Sequence, residues 1–350
     1  MKTIKDIDVK NKTILVRVDY NVPLKNGKVE NDLRIRASLP TINYLLEQGA
    51  KRIVLISHLG RPEGKPSSEF SLRPTIGVLE HLFPNHSIGF YDLPKKDEQI
   101  QIPSKVKIAL LENLRFDPRE EANDAEFIAN IAKSVNADIY VQDGFAVIHR
   151  AHASTDAIKE HLPVYAGFLI ENEIKNLENV TKNPESPVLL IIGGAKVDDK
   201  QPLIDKFLKQ ADYIYVGGKI AADGYKSSHK KIIVASDFDT NEKGEKLDIG
   251  PLSTGELANL ITDAKTIIWN GLLGYAEDPA YATSSTIAAE LIGEHQGAET
   301  IICGGDTTGF VENLMKEHDS LHYSLVSTGG GASLEFLLGK KLPGLAAIKQ

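Results

Sequence analysis

Cysteine is almost absent from this sequence, and so are long apolar runs. Cys303 is the only cysteine among 350 residues, which excludes a disulfide within the chain and a zinc site built from cysteines. No run approaches the length of a membrane-spanning helix, and residues 1–10 lack the apolar core of a signal peptide. We therefore expect a cytoplasmic protein that does not enter membranes.

Excess positive charge is also missing. The formal net charge is -8 at pH 7, so the chain as a whole offers nucleic acid no phosphate-neutralising surface. Neither the P-loop pattern nor Gly-x-Gly-x-x-Gly occurs, so both standard nucleotide fingerprints are absent. These absences argue against a general nucleic-acid binder. They leave room for a small anionic ligand, which needs only a local cluster of arginine and lysine.

What the sequence does contain is a series of short apolar runs separated by segments with helical spacing. Most runs are continuously apolar, as in strands buried on both faces of a parallel sheet. In residues 200–210, Leu203, Ile204 and Phe207 share one helical face with Leu208. The alternation predicts an α/β fold, and the length predicts two lobes. The predicted strands are Thr13–Val18, Arg52–Ile56, Val106–Leu111, Asp138–Val141, Val188–Ile192, Tyr213–Val216, Thr266–Trp269, Thr300–Cys303 and Tyr323–Val326.

The predicted lobes meet near the middle of the chain. Gly167 opens a helical stretch over Phe168–Val180, and residues 183–187 (Asn-Pro-Glu-Ser-Pro) form a predicted loop before the next strand. We predict a first lobe over residues 1–166, a helix and linker over 167–186, and a second lobe from residue 187.

In the first half, basic and polar side chains follow the predicted strands. Ligands of open α/β sheets bind beyond the carboxyl ends of the strands, and guanidinium groups bind phosphate and carboxylate through paired hydrogen bonds. The pattern predicts a site for a small polyanion. The alternative is that each arginine pairs with an acid on the surface. The residues are Asp19, Asn21, Arg34, His58, Arg61, Arg115, His149, Arg150 and His152.

In the second half, glycines follow the strands instead. Glycine lets backbone amides approach a ligand closely, and residues 329–331 lead into a helical stretch whose free N–H groups would face an anion. Lys196 and Lys200 would point at a phosphate chain, and Asp306 suits Mg²⁺ shared with nucleotide phosphates. Together these weak signals predict a nucleotide lobe, and hence phosphoryl transfer. The segments are Gly193–Lys196, Gly217–Lys219, Asn270–Gly274, Gly304–Thr307 and Thr328–Gly331.

The same segments, in the same order, resemble the signature segments of the phosphoglycerate kinase family. The first half carries RVDYNVP from residue 17, LPTI from 39, SHLGRP from 57, LLENLRF from 110 and HRAH from 149. The second half carries GGAKV from 193, DIGP from 248, WNG from 269, GGDT from 304 and STGGGASLE from 327. The resemblance covers nearly the whole chain.

The resemblance implies two Rossmann-like lobes, each a mostly parallel sheet flanked by helices, joined by a hinge helix and able to close on each other. It implies a monomer that transfers phosphate reversibly between 1,3-bisphosphoglycerate and ADP, giving 3-phosphoglycerate and ATP, with Mg²⁺. Residues 336–350 are expected to return to the first lobe, which would bind 3-phosphoglycerate. Residues 187–335 would bind the Mg-nucleotide.

The resemblance also assigns roles to single positions. The 3-phosphoglycerate site comprises Asp19, Asn21, Arg34, His58, Arg61, Arg115 and Arg150. The nucleotide site comprises Gly193, Ala195, Lys196, Lys200, Gly217, Gly218, Asn270, Glu277, Gly304, Gly305, Asp306 and Thr307, with Glu277 on the ribose and Asp306 on Mg²⁺ through the nucleotide. The expected catalytic groups are Arg34, Lys196, Gly305, Gly329 and Gly330. His149 and His152 belong to the basic patch, where we expect a structural role.

Several departures from the family pattern keep two alternatives open. The stretch from Gly218 to Asp248 is much shorter than in the family, where it helps to wall the adenine pocket. Leu272 and Leu273 replace Pro-Met, and Cys303 stands where a third glycine is common. The chain could therefore be a catalytically impaired binding protein, or a kinase for another small carboxylic acid. The retained arginines, lysines and Asp306 argue against the first alternative.

Overall fold

The computed structural model describes residues 1–349, which form two compact units. Unit 1 comprises Met1–Asn172 and residues 341–349, and unit 2 comprises Glu173–Lys340. The sequence interpretation set residues 167–186 apart as a linker and began the returning segment at residue 336. In the structure the division falls inside one helix, Phe168–Lys182, and the returning segment begins at Lys341.

Sixteen strands are distributed evenly between the units. Those of unit 1 are β1 Thr13–Arg17, β2 Leu24–Lys25, β3 Lys28–Val29, β4 Arg52–Ile56, β5 Ile88–Tyr91, β6 Ile108–Leu111, β7 Ile139–Gln142 and β8 Val164–Ala166. Those of unit 2 are β9 Val188–Ile192, β10 Tyr213–Val216, β11 Ile232–Val234, β12 Phe238–Thr240, β13 Lys246–Ile249, β14 Thr266–Asn270, β15 Glu299–Cys303 and β16 Leu325–Val326.

Twelve α-helices lie between the strands of the described chain. They are α1 Leu33–Ala37, α2 Leu39–Glu47, α3 Ile76–Leu82, α4 Ala125–Ser134, α5 Phe168–Lys182, α6 Val197–Phe207, α7 Gly218–Ala222, α8 Pro251–Asp263, α9 Thr283–Glu294, α10 Gly305–Glu317, α11 Gly331–Leu337 and α12 Pro343–Ala346. Short 3₁₀ helices occur at Ile4–Asp6, Ser68–Phe70, Arg73–Thr75, Leu114–Phe116, Phe145–Val147, Ala157–Glu160 and Pro279–Tyr281.

Each unit is built on a six-stranded parallel sheet. The order is β5-β6-β4-β1-β7-β8 in unit 1 and β11-β10-β9-β14-β15-β16 in unit 2, and every neighbouring pair in both sheets is parallel. All residues of β1 and β9 are buried, which explains why these strands are continuously apolar in sequence. The prediction of an α/β fold with two mostly parallel sheets is confirmed.

In both sheets the strand order reverses at a central strand. β1 lies between β4 and β7, and β9 lies between β10 and β14, so consecutive crossovers run to opposite sides. The carboxyl ends of such strands open a crevice in which ligands of α/β proteins bind. The residues predicted to bind ligands lie in the loops, and in the first turns of the helices, that follow several strands of the two sheets.

The end of the described chain packs in unit 1. The Gly344 amide donates to the carbonyl of Ile148 at 2.9 Å, and the Lys349 amide donates to that of Val164 at 3.1 Å. The carbonyl of Lys349 in turn accepts from the Lys2 amide at 2.8 Å. These bonds tie the two ends of the described chain to the β8 edge of one sheet. Within residues 1–349, we find no helix with the length and hydropathy needed to cross a bilayer.

The single tryptophan allows the stability of unit 2 to be measured separately. Trp269 is fully buried in the unit 2 core, which also contains Leu189. We expect Leu189→Ala to lower the free energy of unfolding of unit 2 by about 2–5 kcal/mol, because it leaves a cavity between a sheet and its helices. Urea unfolding followed by Trp269 fluorescence measures this change. Leu252→Ala, at a side chain that is 76% exposed, should change it by less than about 0.5 kcal/mol. Equal effects of the two substitutions would contradict this account of the core.

Candidate functional site

The loop after β1 forms a salt bridge with Arg34 of α1 and a hydrogen bond with the loop after β4. Arg34 Nη1 donates to Asp19 Oδ2 at 2.7 Å, and the Asp19 side chain is only 2% exposed. The Asn21 amide donates to Asp19 Oδ1 at 3.2 Å, while Asn21 Oδ1 accepts from the Gly60 amide at 2.9 Å. Asp19 therefore orients Arg34, and Asn21 fixes the spacing of the two loops.

A further arginine, which the sequence analysis did not assign to the site, lies beneath it. Arg17 is the last residue of β1, is buried, and places Nη2 3.0 Å from His58 Nδ1. Since a guanidinium can only donate, His58 Nδ1 is the acceptor, and the ring is neutral with its proton on Nε2. Burial, followed by the charges of Arg17, Arg115, Arg150 and Arg34, holds the pKa of His58 well below its ordinary value. Four guanidinium groups thus act electrostatically on one imidazole.

The remaining predicted arginines differ in how they are held. Arg115 is buried, with Nη1 2.8 Å from the carbonyl of Gly60 and Nε 3.1 Å from Glu121 Oε1, and burial lowers its pKa to about 10. Arg150 is half-buried, with Nε 3.4 Å from His149 Nε2. Arg61 is exposed and, like Arg150, forms no salt bridge within the described chain. Pairing with surface acids therefore accounts for only part of the cluster.

One buried acid lies close to this basic cluster. Glu120 accepts hydrogen bonds from Ser154 Oγ at 2.6 Å and from the Ser154 amide at 3.1 Å. Burial raises the pKa of Glu120, while the charge of Arg17 opposes that rise. The pKa of His152 shifts in the other direction, because burial and then the charge of Arg115 lower it to about 4. Both His58 and His152 are therefore neutral at neutral pH, and the arginines beside them supply positive charge as guanidinium groups.

In unit 2 the loops after the strands enclose a cavity of about 850 Å³. Its lining contains every residue that the sequence analysis placed in the nucleotide site except Gly193 and Gly217. Those two amides donate to backbone carbonyls instead, of Asn270 at 3.2 Å and of Ile192 at 2.8 Å. Four of the five predicted glycine segments contribute residues to this lining, whereas Thr328–Gly331 contributes none, and Gly193 and Gly217 lie behind the cavity wall.

Glycines in and behind the cavity wall allow three loops to approach each other. A Cβ on Gly193 would overlap the carbonyl oxygens of Gly271 and Leu272, and one on Gly271 would overlap the carbonyl of Gly193. Gly271 also has φ +109, and Gly218 has φ +60, conformations that side chains rarely adopt. The glycines therefore serve close backbone packing as well as any approach of a ligand.

Two lysines from α6 and an aspartate from α10 line the same part of the cavity. Lys200 Nζ donates to Asn270 Oδ1, and burial lowers the pKa of Lys200 while nearby Asp306 opposes that change. Lys196 is exposed at the amino end of α6, and Asp306 is exposed in the first turn of α10. Thr307 Oγ1 accepts from the Gly271 amide at 2.9 Å. This arrangement offers two cations and a hard carboxylate to a ligand carrying phosphate and a divalent cation.

The glycine segment before α11 differs from the expectation. The Gly329 amide donates to Ser327 Oγ at 3.1 Å and the residue is buried, so this amide is already satisfied within the protein. Glu173, which the sequence analysis did not single out, accepts from Ser327 Oγ at 2.7 Å and from the Thr328 amide at 2.7 Å. Burial raises the pKa of Glu173 to about 7. A buried carboxyl on α5 therefore anchors the loop that carries the glycines.

Glu277 also lines the cavity and lies in the loop after β14. Its carboxylate accepts a hydrogen bond from the Tyr275 hydroxyl at 2.8 Å, and both side chains are exposed. Among residues 1–349, no three histidine, cysteine, aspartate or glutamate side chains are grouped to hold a metal ion by themselves. Asp306 would therefore share a cation with ligand oxygens.

The chain is similar to known proteins over almost its whole length. A family model described as "Phosphoglycerate kinase" matches residues 4–232 and 221–340. The chain belongs to the phosphoglycerate kinase family. It is 38% identical to a phosphoglycerate kinase of Fervidobacterium nodosum, covering 99% of this chain and 98% of that protein. It is also 38% identical to that of Moorella thermoacetica, covering 99% of both chains.

Solved structures of the phosphoglycerate kinase family have the same fold. That of the enzyme from Coxiella burnetii has a TM-score of 0.80 at 31% identity, and that from Pyrococcus horikoshii a TM-score of 0.84 at 27% identity. Each match covers 99% of this chain and 98% of the other. The alignment with the Fervidobacterium protein is 397 positions long, against 350 residues here, so at least 47 of its positions have no counterpart in this chain. The family model itself breaks and restarts at residues 221–232, within the stretch that the sequence analysis found to be short.

The buried carboxyl of Glu173 predicts a pH dependence of stability. Its pKa is about 7 in the fold against an ordinary value of 4.5, so the folded state binds this proton more tightly than the unfolded state. Stability therefore falls as pH rises from about 4.5 to 7. We expect the free energy of unfolding of unit 2 to decrease by up to about 3 kcal/mol over that range from this group. Trp269 fluorescence in urea measures it, and Glu173→Gln should remove this component. An identical pH profile in the variant would contradict the prediction.

Proposed function

We propose that this protein catalyses reversible phosphoryl transfer between 1,3-bisphosphoglycerate and ADP, giving 3-phosphoglycerate and ATP. The observation that carries the proposal is that a member of this family, matched over 99% of this chain and 98% of a curated relative, has a basic cluster in one unit and a cavity lined by lysines, glycines and an aspartate in the other. Unit 1 gathers guanidinium groups at the carboxyl edge of its sheet, and unit 2 gathers lysines, glycines and an aspartate in one cavity. A small polyanion suits the first and a Mg-nucleotide the second.

We assign the acid to unit 1. Its phosphate and carboxylate carry several negative charges, and planar guanidinium groups bind both through paired hydrogen bonds. His58 would donate from Nε2 as a neutral ring, because Arg17 occupies Nδ1. Asp19 would keep Arg34 aimed at the ligand. The binding residues we propose are Asp19, Asn21, Arg34, His58, Arg61, Arg115 and Arg150.

We assign the nucleotide to the cavity of unit 2. Lys196, Lys200 and the first turn of α10 would hold the phosphates, and Asp306 would ligate Mg²⁺ together with phosphate oxygens. The Mg²⁺ would neutralise charge on the phosphate chain. Glu277 would accept hydrogen bonds from the ribose hydroxyls. The bound Tyr275 hydroxyl already orients that carboxylate.

The chemistry requires positioning and charge stabilisation. In the direction of ATP synthesis, a β-phosphate oxygen of ADP forms a bond to phosphorus as the bond from phosphorus to the acyl oxygen breaks. The leaving carboxylate needs no proton, so neither a general base nor a covalent enzyme intermediate is required. The transferred group spreads its charge over three oxygens, and fixed donors stabilise that charge. We propose that Arg34, Lys196 and the amides of Gly305, Gly329 and Gly330 contribute, with Gly329 having first to release Ser327.

A coupled assay tests the function directly. Purified protein is incubated with 3-phosphoglycerate and Mg-ATP, and the acyl phosphate formed is reduced by a linked NADH-dependent enzyme. We expect turnover that requires 3-phosphoglycerate and Mg²⁺. Acetate, glycerate and aspartate serve as alternative acids. Turnover with one of these alone would indicate a different carboxylate kinase. Binding of both ligands without turnover would indicate an impaired binding protein.

Arg34 provides a test of charge stabilisation with a matched control. We expect Arg34→Ala to lower kcat by a factor of about 100 or more, as removal of a donor to transition-state charge does. Steady-state kinetics with 3-phosphoglycerate and Mg-ATP measure it. Arg36→Ala is the control, because Arg36 lies on the same helix and pairs with Asp32 at the surface. Near-normal turnover of Arg34→Ala would remove Arg34 from this role.

Asp306 provides a test of the cation site. We expect Asp306→Ala to weaken Mg-ADP binding by at least about tenfold, since one hard ligand of the shared cation is lost. Titration calorimetry with ADP, with and without Mg²⁺, measures the effect. The loss should be larger with Mg²⁺ than without. Glu317→Gln, at the exposed far end of α10, should leave both affinities unchanged. Unaltered Mg-ADP affinity in Asp306→Ala would contradict the assignment.

A further inference from the structure

Part of the lining of the unit 2 cavity is aromatic and aliphatic. Phe238 of β12 and Lys246 of β13, two strands of one antiparallel hairpin, contribute to this part together with Ala222 and Leu247. These residues lie in or beside the part of the chain that is shorter than in its relatives. Apart from one ammonium group, this part offers aromatic and aliphatic surface, which suits the flat base of a nucleotide.

The ammonium group of Lys246 contacts an aromatic ring and a backbone carbonyl but no carboxylate among the described residues. Lys246 Nζ lies 4.4 Å from the centroid of the Phe238 ring and 3.5 Å from the carbonyl of Ala222, the last residue of α7. No carboxylate lies within salt-bridge distance of it among the described residues. Lys219, which lines the same cavity, is paired with Asp223 at 2.7 Å. Lys246 therefore presents a positive donor beside the surface on which a base would stack.

We infer that Lys246 determines the base preference of the nucleotide site and favours guanine or hypoxanthine over adenine. This inference rests on the proposed function. A lysine ammonium can only donate, and guanine presents two adjacent acceptors, O6 and N7. Adenine presents N7 beside an N6 amino group, which is itself a donor. The cation thus gains two acceptors from a 6-oxopurine and meets one donor in adenine.

A simpler role for Lys246 is to cap the carboxyl end of α7, where a cation is favoured. The two roles differ in what they predict. A cap would contribute to stability and would affect all nucleotides alike. If Lys246 contacts the base, its substitution would change kcat/KM for one nucleotide relative to another.

The test measures kcat/KM for ADP, GDP and IDP in the direction of ATP synthesis. The wild-type protein should use GDP and IDP at least as well as ADP. Lys246→Met keeps the alkyl chain on Phe238 but removes the charge, and should lower kcat/KM for GDP and IDP about tenfold with less than a twofold change for ADP. IDP separates O6 and N7 from the 2-amino group. Lys243→Met, at an exposed residue of the same hairpin, is the control and should alter no ratio.

Two outcomes would overturn the inference. One is a wild-type protein that discriminates about tenfold or more against both GDP and IDP. The other is an equal loss for all three nucleotides in Lys246→Met, which would identify Lys246 as a structural cap. The wild-type comparison decides the matter even where the variant does not fold. Absence of transfer with every nucleotide would instead count against the proposed function, so the two failures are distinguishable.

Discussion

Repulsion between like charges is the constraint on which the first half-site depends. Arg17, Arg34, Arg115 and Arg150 all act on the imidazole of His58, and together with its burial, which is the larger cause, they hold its pKa well below the ordinary value. Within the described chain, the acids nearest this group include Asp19, which pairs with Arg34, Glu121, which pairs with Arg115, and buried Glu120. Gathering like charges is costly unless opposite charge is supplied. The packing of the parallel sheet sustains this arrangement, and a bound polyanion would relieve the repulsion.

The candidate site in unit 2 also gathers groups that suit an anionic ligand, but it uses different residue types. Its loops pack so closely that only glycine fits at Gly193 and Gly271. Lys196, immediately before α6, and Lys200, in its first turn, line the same cavity. The loop before α11 is anchored by the buried carboxyl of Glu173, which accepts hydrogen bonds from Ser327 and Thr328. In unit 1 the charge comes from arginine side chains placed by strand ends. In unit 2 it comes from lysines and backbone amides, and Asp306 is placed to hold a cation that a nucleotide would bring.

Strands inside the sheets could be predicted from sequence, whereas most edge strands could not. β1 and β9 are buried on both faces and therefore continuously apolar, but β5 and β11 lie at sheet edges with every residue only half-buried, and β8, a third edge strand, has three residues. Site residues that follow interior strands were found for the same reason. Arg17 was missed because it lies inside an apolar run, and Glu173 because nothing in a helical sequence marks one carboxylate as buried. The amide of Gly329 is bonded to the hydroxyl of Ser327 two residues earlier, a local serine turn that the sequence analysis did not consider.

The central claim is that the arginine cluster of unit 1 is a site for a small polyanion. Titration calorimetry of 3-phosphoglycerate into the nucleotide-free protein, repeated at rising salt concentration, tests it most directly. The account predicts saturable binding that weakens steadily with salt, since exposed charges are screened, and much weaker binding of glycerate, which lacks the phosphate. Binding that is absent, or that is indifferent to both salt and the phosphate group, would contradict it.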